Sequence, residues 1–391
     1  MDILERAQAL RDEIIENRRW LHAHPELGFA LDNTVGFVKE KLRSYGYTPV
    51  DCGDHGVVAT VGGRHGGKCI LIRGDMDALP MKEESGLPFA AACDNAAHTC
   101  GHDTHTAMLL GAAKLLKEME DELPGTVKLM FQPAEELIAG AKNMVDSGVL
   151  ENPHVDAAFG IHTMAMLPCG QLHYSRGPMF ASCDLFTITV KGHGGHGSQP
   201  QNSIDPIVVG SHLVTALQTI NAREISPKDV AVLTIGSFQS GSACNVIPES
   251  AKLMGSIRTF DPEVRALVRR RLCEITAGTA STFRAEAAVD FLSETAPLVT
   301  DLPTMDLLGV SLRALFGANT VFDDLPPFSG SEDFAYVTSA VPSGFFVLGG
   351  APEDYPALPQ HNPRIRFNED ALVNGTAAYV GGALAWLKAN P

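Results

Sequence analysis

The sequence predicts an α/β protein in which a mostly parallel sheet, covered by helices on both faces, is interrupted by a small inserted domain. Three observations carry this. Short apolar runs alternate with helical patterns over about the first 160 residues. The order then changes to βαββαβ between about Phe180 and Leu292, and the α/β alternation resumes after Pro303. At about 150 residues per domain, 391 residues are also too many for one core.

In chain order, Ile3, Ala7, Leu10 and Ile14 share helical spacing from about Asp2 to Asn17, and Phe37, Val38 and Leu42 do so from about Thr34 to Ser44, with Gly46 as the stop. Cys69-Ile70-Leu71-Ile72 follows the Gly62-Gly63 and Gly66-Gly67 turns, Thr126 to Phe131 follows Pro124-Gly125, and Val155 to Ile161 forms a third apolar run. Between them lies a helix from Thr106 to Met119. Runs of this kind, alternating with helices, suit parallel strands buried on both faces. The next stretch predicts a strand (Leu185 to Val190), a helix (Ile204 to Ile220) and two strands (Val230 to Ile235, Ala251 to Phe260). A helix opened by Asp261-Pro262 and a strand from Ala285 to Phe291 complete a ferredoxin-like split unit. A helix from Pro303 to Phe316, a strand Gly344 to Leu348 and a final helix Glu369 to Lys388 capped by Asn368 return to the first pattern. The expected domains are 1–177 and 295–391, forming one unit, and 178–294, forming an inserted domain.

Composition narrows the function. With 30 Lys and Arg against 46 Asp and Glu the net charge is −16, and such a surface repels phosphate backbones and anionic lipid. Neither nucleic acid nor membrane is an expected partner. Apolar usage of 45% is globular, and no apolar run reaches the roughly 18 residues of a membrane span. The opening Met1-Asp2-Ile3-Leu4-Glu5-Arg6 lacks the pattern of a signal peptide. Eight scattered cysteines then read as reduced thiols in the cytoplasm.

Chemistry concentrates just beyond the predicted strands. The first ends in Arg73-Gly74-Asp75-Met76-Asp77, the second in Gln132-Pro133-Ala134-Glu135-Glu136 and the third in His162, and ligands bind beyond the carboxyl ends of strands in open α/β sheets. His98 to His105 adds Cys100, His102 and His105 at the mouth of a helix. In extended backbone Cys100 and His102 face the same way and can reach one metal. Alone, each feature has a plain structural reading: a helix cap, an acidic first turn at Glu135-Glu136, a core histidine at His162, a turn residue at His361. Together they suit two divalent ions, with one acid of the Glu pair as ligand and its neighbour as general base. Gly192 to Gly197 contains a literal G-x-G-x-x-G, but Pro200 and Pro206 intervene where a helix should open, so a dinucleotide site is rejected.

Seven strings carry a resemblance: Arg19-Trp20-Leu21-His22-Ala23-His24-Pro25-Glu26-Leu27-Gly28, Arg73 to Pro80, Cys100-Gly101-His102-Asp103, Gln132 to Glu136, Asn245-Val246-Ile247-Pro248-Glu249, Ser331-Glu332-Asp333-Phe334 and His361-Asn362-Pro363. In this order they closely resemble the metal-dependent amidohydrolases that include hippurate hydrolase, N-acyl-amino-acid deacylases and auxin-conjugate hydrolases. Gln360, where many relatives have an apolar residue, and Gly197-Ser198-Gln199-Pro200 depart from the family pattern without removing a ligand.

The resemblance implies that Cys100, His102, Glu136, His162 and His361 hold two divalent ions, Zn or Mn first and Co or Ni next, with Cys100 bridging. It implies Glu135 as the catalytic acid/base, with Asp75 and Asp77 beside the centre and Asp103 orienting His102. His196 would hold the scissile carbonyl, and Asn245 and Arg258 would bind substrate, the Arg258 fork suiting a free carboxylate. The implied reaction is hydrolysis of the amide bond of an N-acyl amino acid or related conjugate. Glu135 takes a proton from the attacking water and returns it to the leaving amine. The resemblance also implies that 1–177 and 295–391 form the catalytic domain and that 178–294 is a lid domain, through which a homodimer or homotetramer is expected. A dipeptidase or aminopeptidase on the same scaffold, a catalytically silent metal-binding homologue and a redox sensor built on Cys100 are the competing readings.

Overall fold

The computed structural model describes residues 2–64 and 66–391, and these fall into two compact units, one built from Met1–Gly177, Thr300–Pro326 and Asp333–Pro391, the other from Pro178–Val299 and Pro327–Glu332. Among the described residues the larger unit is organised on a sheet of eight strands in the order Val50–Asp51, Val57–Gly62, Thr126–Gln132, Cys69–Asp75, Ala157–Met164, Ser343–Gly349, Leu172–His173, Val321–Phe322. The four central strands, Thr126–Gln132 through Ser343–Gly349, are mutually parallel. Val57–Gly62 and Leu172–His173 pair antiparallel to their inner neighbours.

The apolar runs lie where both faces are covered. Cys69–Asp75 and Ser343–Gly349 are buried at every position, which suits the continuous apolar runs Cys69–Ile72 and Phe345–Leu348 within them. Ile70, Ile72, Leu129, Phe159 and Ile161 join one core with Leu109 and Leu116 of the His102–Glu118 helix, Leu308 of Leu302–Phe316 and Val380 of Ala371–Ala389. On the opposite face Phe334, just ahead of the short helix Ala335–Thr338, packs against Phe345 and beneath the Arg73 guanidinium.

Several boundaries differ from the sequence reading. The first helix breaks at Leu10 and continues as Arg11–Ala23, so Arg18 and His22 sit on a regular helix with both side chains buried. The strand bearing His162 runs two residues further, to Met164. The last helix begins at Ala371; Asn368 does not cap it but accepts a hydrogen bond from the Asp370 N–H (3.0 Å) in the preceding turn. Val57–Gly62 escaped the reading, and so did the two-residue strands Val50–Asp51, Leu172–His173 and Val321–Phe322, the latter because two residues carry no measurable period.

The smaller unit has the βαββαβ order, its four strands antiparallel in the order Ala231–Ser240, Ser250–Thr259, Cys183–Lys191, Glu286–Thr295. Helices Pro206–Thr219 and Pro262–Thr282 bury Val209, Leu213, Val268 and Leu272 with Ile188, Leu233 and Leu253 of the sheet. Both helices start on Pro and are capped by aspartate: the Asp205 carboxylate accepts from Ile207 N–H (2.9 Å), that of Asp261 from Glu263 N–H (2.7 Å) and Val264 N–H (3.0 Å). Among the described residues no helix is long and apolar enough to cross a membrane.

Candidate active site

In the larger unit the strand ends do converge. Donor atoms of Cys100, His102 and His162 lie within 4.8 Å of one another, and so do those of Cys100, Glu136 and His361. All five residues expected from the sequence therefore fall into two sets of three, and Cys100 belongs to both. Its Sγ is 3.4 Å from His162 Nε2, and His361 Nε2 is 3.5 Å from Glu136 Oε1. The backbone that joins Cys100 to His102 is not the extended one the spacing suggested. Gly101 is left-handed at φ 100° and His102 opens the helix; a Cβ on Gly101 would come within 3.0 Å of the Phe367 ring. Glycine is required there both by backbone conformation and by space.

The outward nitrogens are chosen by main-chain carbonyls. His102 Nδ1–H donates to Asp77 O (2.8 Å) and His162 Nδ1–H to Thr163 O (2.9 Å), so that Nε2 is the nitrogen each ring turns toward the centre. His102 Nε2 and Glu136 Oε1 are buried and without a hydrogen-bond partner, a condition costly for a polar atom unless a cation completes it. Sulfur, imidazole nitrogen and carboxylate oxygen are the donor set of Zn²⁺ and similar ions. The residues fit the pair of metals the sequence implied.

Asp77 positions the two glutamates, accepting from Glu135 N–H at Oδ1 (3.0 Å) and from Glu136 N–H at Oδ2 (3.1 Å). They occupy a turn after a left-handed Ala134 (φ 49°) and ahead of the Gly140–Asp146 helix, not a first helical turn. Glu135 is buried, and its Oε2 is 3.9 Å from His102 Nε2. Burial, reinforced by Asp77, pushes the Glu136 carboxyl up to about 7 against the pull of His102. Burial likewise holds the Cys100 thiol well above its ordinary value, the reverse of what a reactive redox cysteine needs. His162 is held neutral by burial and by the nearby His105.

Behind these lies a buried support. His105 Nδ1–H donates to Asp75 Oδ1 (2.6 Å), and Thr163 N–H donates to His105 Nε2 (2.7 Å). Arg73, fully buried, pairs with Asp75 (2.8 Å) and donates to Gln132 Oε1 (2.8 Å), while Gln132 Nε2 and Ala141 N–H both donate to Asp333. Asp103 does not orient His102. Its Oδ2 receives Arg18 Nε (2.7 Å) and His22 Nδ1 (2.8 Å), and His22 Nε2 meets Glu83 (3.0 Å). His98, buried and pushed down to about 3 by desolvation, lies 6.3 Å from the His22 ring. The roles of Thr163, Gln132 and the Arg18–Asp103–His22 chain were not visible in the sequence, although all but Thr163 sit in or beside the quoted strings.

Burial opposes the His22 imidazolium, but Asp103 and Glu83 outweigh it and hold its pKa above 6.5, with Arg18 a smaller opposing influence. A folded-state value above the unfolded one contributes stability that is complete below about pH 6.5 and disappears as pH rises through the folded-state pKa. His22→Gln should therefore cost about 1–3 kcal/mol near pH 6 and less near pH 9. Urea unfolding at the two pH values measures this, and equal losses would mean the ring is neutral when folded.

The remaining expected residues belong to the smaller unit. His196 is exposed on a short strand, Gly195–His196, paired with Val246–Ile247, and Gly197 N–H donates to Asn245 O (2.9 Å). His196 Nδ1 accepts from Ser198 N–H (3.1 Å), which places the ring proton on Nε2. Arg258, half-buried on Ser250–Thr259, donates to Ser331 Oγ and has no carboxylate partner among the described residues.

Overlapping sets of thiol, imidazole and carboxylate donors beyond parallel strand ends, with a buried carboxylate beside them, define a metal-dependent amidohydrolase. The family model of peptidase family M20/M25/M40 matches residues 71–384, and the chain belongs to that family. N-acetyl-L-cysteine deacetylase of Bacillus subtilis is 37% identical over 94% of this chain and 86% of its own length. IAA-amino acid hydrolase ILR1-like 4 of Arabidopsis thaliana is 37% identical over 96% of this chain and 86% of its own. The crystal structure of the Bacillus subtilis YXEP protein, described as a dinuclear metal binding peptidase, superposes with a TM-score of 0.84 at 33% identity, covering 97% of this chain and 99% of that one.

Proposed function

We propose that the protein hydrolyses the amide bond of N-acyl amino acids or related amide conjugates, releasing a carboxylate and a free amino acid. The observation that carries this is the pair of donor sets sharing Cys100, with Glu135 buried alongside. In this reading Cys100, His102, Glu136, His162 and His361 hold two divalent ions, Zn²⁺ or Mn²⁺ ahead of Co²⁺ or Ni²⁺. When bound, the ions supply Lewis acidity toward the carbonyl and lower the pKa of water. Glu135 removes a proton from the attacking water and delivers it to the leaving amine. The His196 Nε2–H is a donor for the developing oxyanion, and Asn245, bonded into the same loop, helps hold the substrate. Arg258, without an acidic partner among the described residues, receives the free α-carboxylate. A deacetylase and an amino acid conjugate hydrolase among the relatives support the substrate class.

Exposed Leu185, Val232, Met254 and Leu292 on the four-stranded sheet support assembly as a homodimer or homotetramer through that unit. The cysteines, all unpaired, suit a reducing cytoplasm. The test is turnover of acetyl, benzoyl, long-chain acyl and indolyl conjugates of several amino acids, with each metal supplied, beside dipeptides with a free amine. Metal-dependent cleavage of the acylated substrates is expected; cleavage confined to the dipeptides overturns the proposal. In the same assay Arg258→Ala should raise KM about 10- to 100-fold for substrates with a free carboxylate and hardly at all for their carboxamides. Equal impairment would assign Arg258 to structure.

A further inference from the structure

Gln360, just ahead of His361, makes a specific contact. Its Nε2 donates to the Thr163 carbonyl oxygen at 2.8 Å, the same oxygen that takes the His162 Nδ1–H at 2.9 Å. The Thr163 N–H meanwhile donates to His105 Nε2, and the Thr163 hydroxyl oxygen accepts from Thr104 (2.9 Å), two residues after His102. One residue's polar groups thus serve four side chains around the centre.

We propose that Gln360 is a positioning residue that ties the His361 segment to the strand carrying His162, and so sets the second metal position; this rests on the binuclear reading above. Three of the other four ligands are anchored by regular structure or the bonds beside it: His162 by a central strand, His102 by a helix, Glu136 by the Asp77 clamp. His361 has neither helix nor strand, adopts a left-handed backbone (φ 66°), and leaves its side chain 51% exposed. A non-glycine residue in that conformation persists only where its surroundings hold it. Two bonds do so at this end of the segment, His361 N–H to Thr99 O (3.0 Å) and the Gln360 side chain to Thr163 O. The first ties His361 to the residue before Cys100, the second to the residue after His162, so the imidazole is held against both halves of the donor set. Outer partners of this kind typically govern metal affinity by about 10- to 100-fold.

Gln360→Met keeps the side chain's length and removes its donor. Stepwise titration of the metal-freed chain with Co²⁺, followed by its visible spectrum, reports each position separately, and thermal unfolding of the metal-freed protein reports the fold. The parent should take up two Co²⁺. In Gln360→Met the first should bind as in the parent and the second about 10- to 100-fold more weakly, with an unchanged Tm before metal is added. Gln360→Lys, which restores a donor of similar reach, should recover more of the second affinity than Gln360→Met retains. Identical second-site affinity in parent and Gln360→Met overturns the role of Gln360, as does weakening of both positions together or a lowered Tm in the metal-freed variant. A parent that binds fewer than two Co²⁺ overturns instead the binuclear reading itself.

Discussion

Glu135→Gln should retain its metal and lose about 10²- to 10⁴-fold or more in kcat, because the amide keeps the size of the side chain but cannot accept a proton. Glu136→Gln should behave in the opposite sense. A neutral amide is a poor ligand for a divalent ion, so that variant should arrive with less metal and recover part of its rate when metal is supplied in excess. The two residues have the same chemistry and adjacent main-chain N–H groups clamped by one carboxylate, Asp77. What separates them is direction. Glu136 shares a donor set with Cys100 and His361, whereas among the described residues Glu135 stands with Glu136 and His102 and in no set with Cys100. Metal content measured beside steady-state rates decides the assignment; a metal-poor, rescuable Glu135→Gln together with a metal-replete, inactive Glu136→Gln would exchange the roles.

Cys100→Ser should have the next largest effect, loss of affinity at both positions and with it of activity. Cys100 stands in both donor sets, and a serine hydroxyl is not a thiolate at neutral pH. The loss at each position should exceed the roughly 10- to 100-fold typical of an outer partner. Cys52→Ser, Cys93→Ser and Cys273→Ser, whose thiols belong to neither set, should keep a full complement of metal. Metal analysis after dialysis checks all four, and a Cys100→Ser protein with two tightly held ions would end the bridging assignment. Full loss in Cys100→Ser with retention in the other three would separate a ligand from a generally thiol-sensitive fold.

The legible part of the fold was the part with a period. Cys69–Asp75, Thr126–Gln132 and Ser343–Gly349 are buried on both faces and stand out by the apolar runs Cys69–Ile72, Leu129–Phe131 and Phe345–Leu348 within them. The βαββαβ unit announced itself through its order of strands and helices and through Asp261-Pro262, which caps and starts its second helix; its first helix, read from Ile204, starts at Pro206 behind the Asp205 cap. The misreadings arose where local pattern and tertiary context part. The helical spacing through Leu10 runs straight across the break between Ile3–Ala9 and Arg11–Ala23. Glu135-Glu136 looks like the start of a helix, yet a left-handed Ala134 and the Asp77 carboxylate hold it as a turn. Cys100 and His102 converge through a left-handed Gly101, not through the alternation of an extended chain.

By itself the sequence determined the α/β class, the inserted unit, and which thiol, imidazoles and carboxylates stand at the strand ends, since donor chemistry resides in residue type and strand ends follow from hydrophobic pattern. Tertiary structure alone decided how those donors are oriented. Carbonyls of Asp77 and Thr163 select the free nitrogen of His102 and His162, Asp103 turns toward Arg18 and His22, and Gln360 reaches across 197 positions to Thr163. Apart from that between the neighbours His162 and Thr163, such bonds join segments far apart in the chain, and none leaves a periodic trace along it. They exist only once burial has brought the strand ends together and stripped the polar atoms of water, so that each must find a partner in the fold.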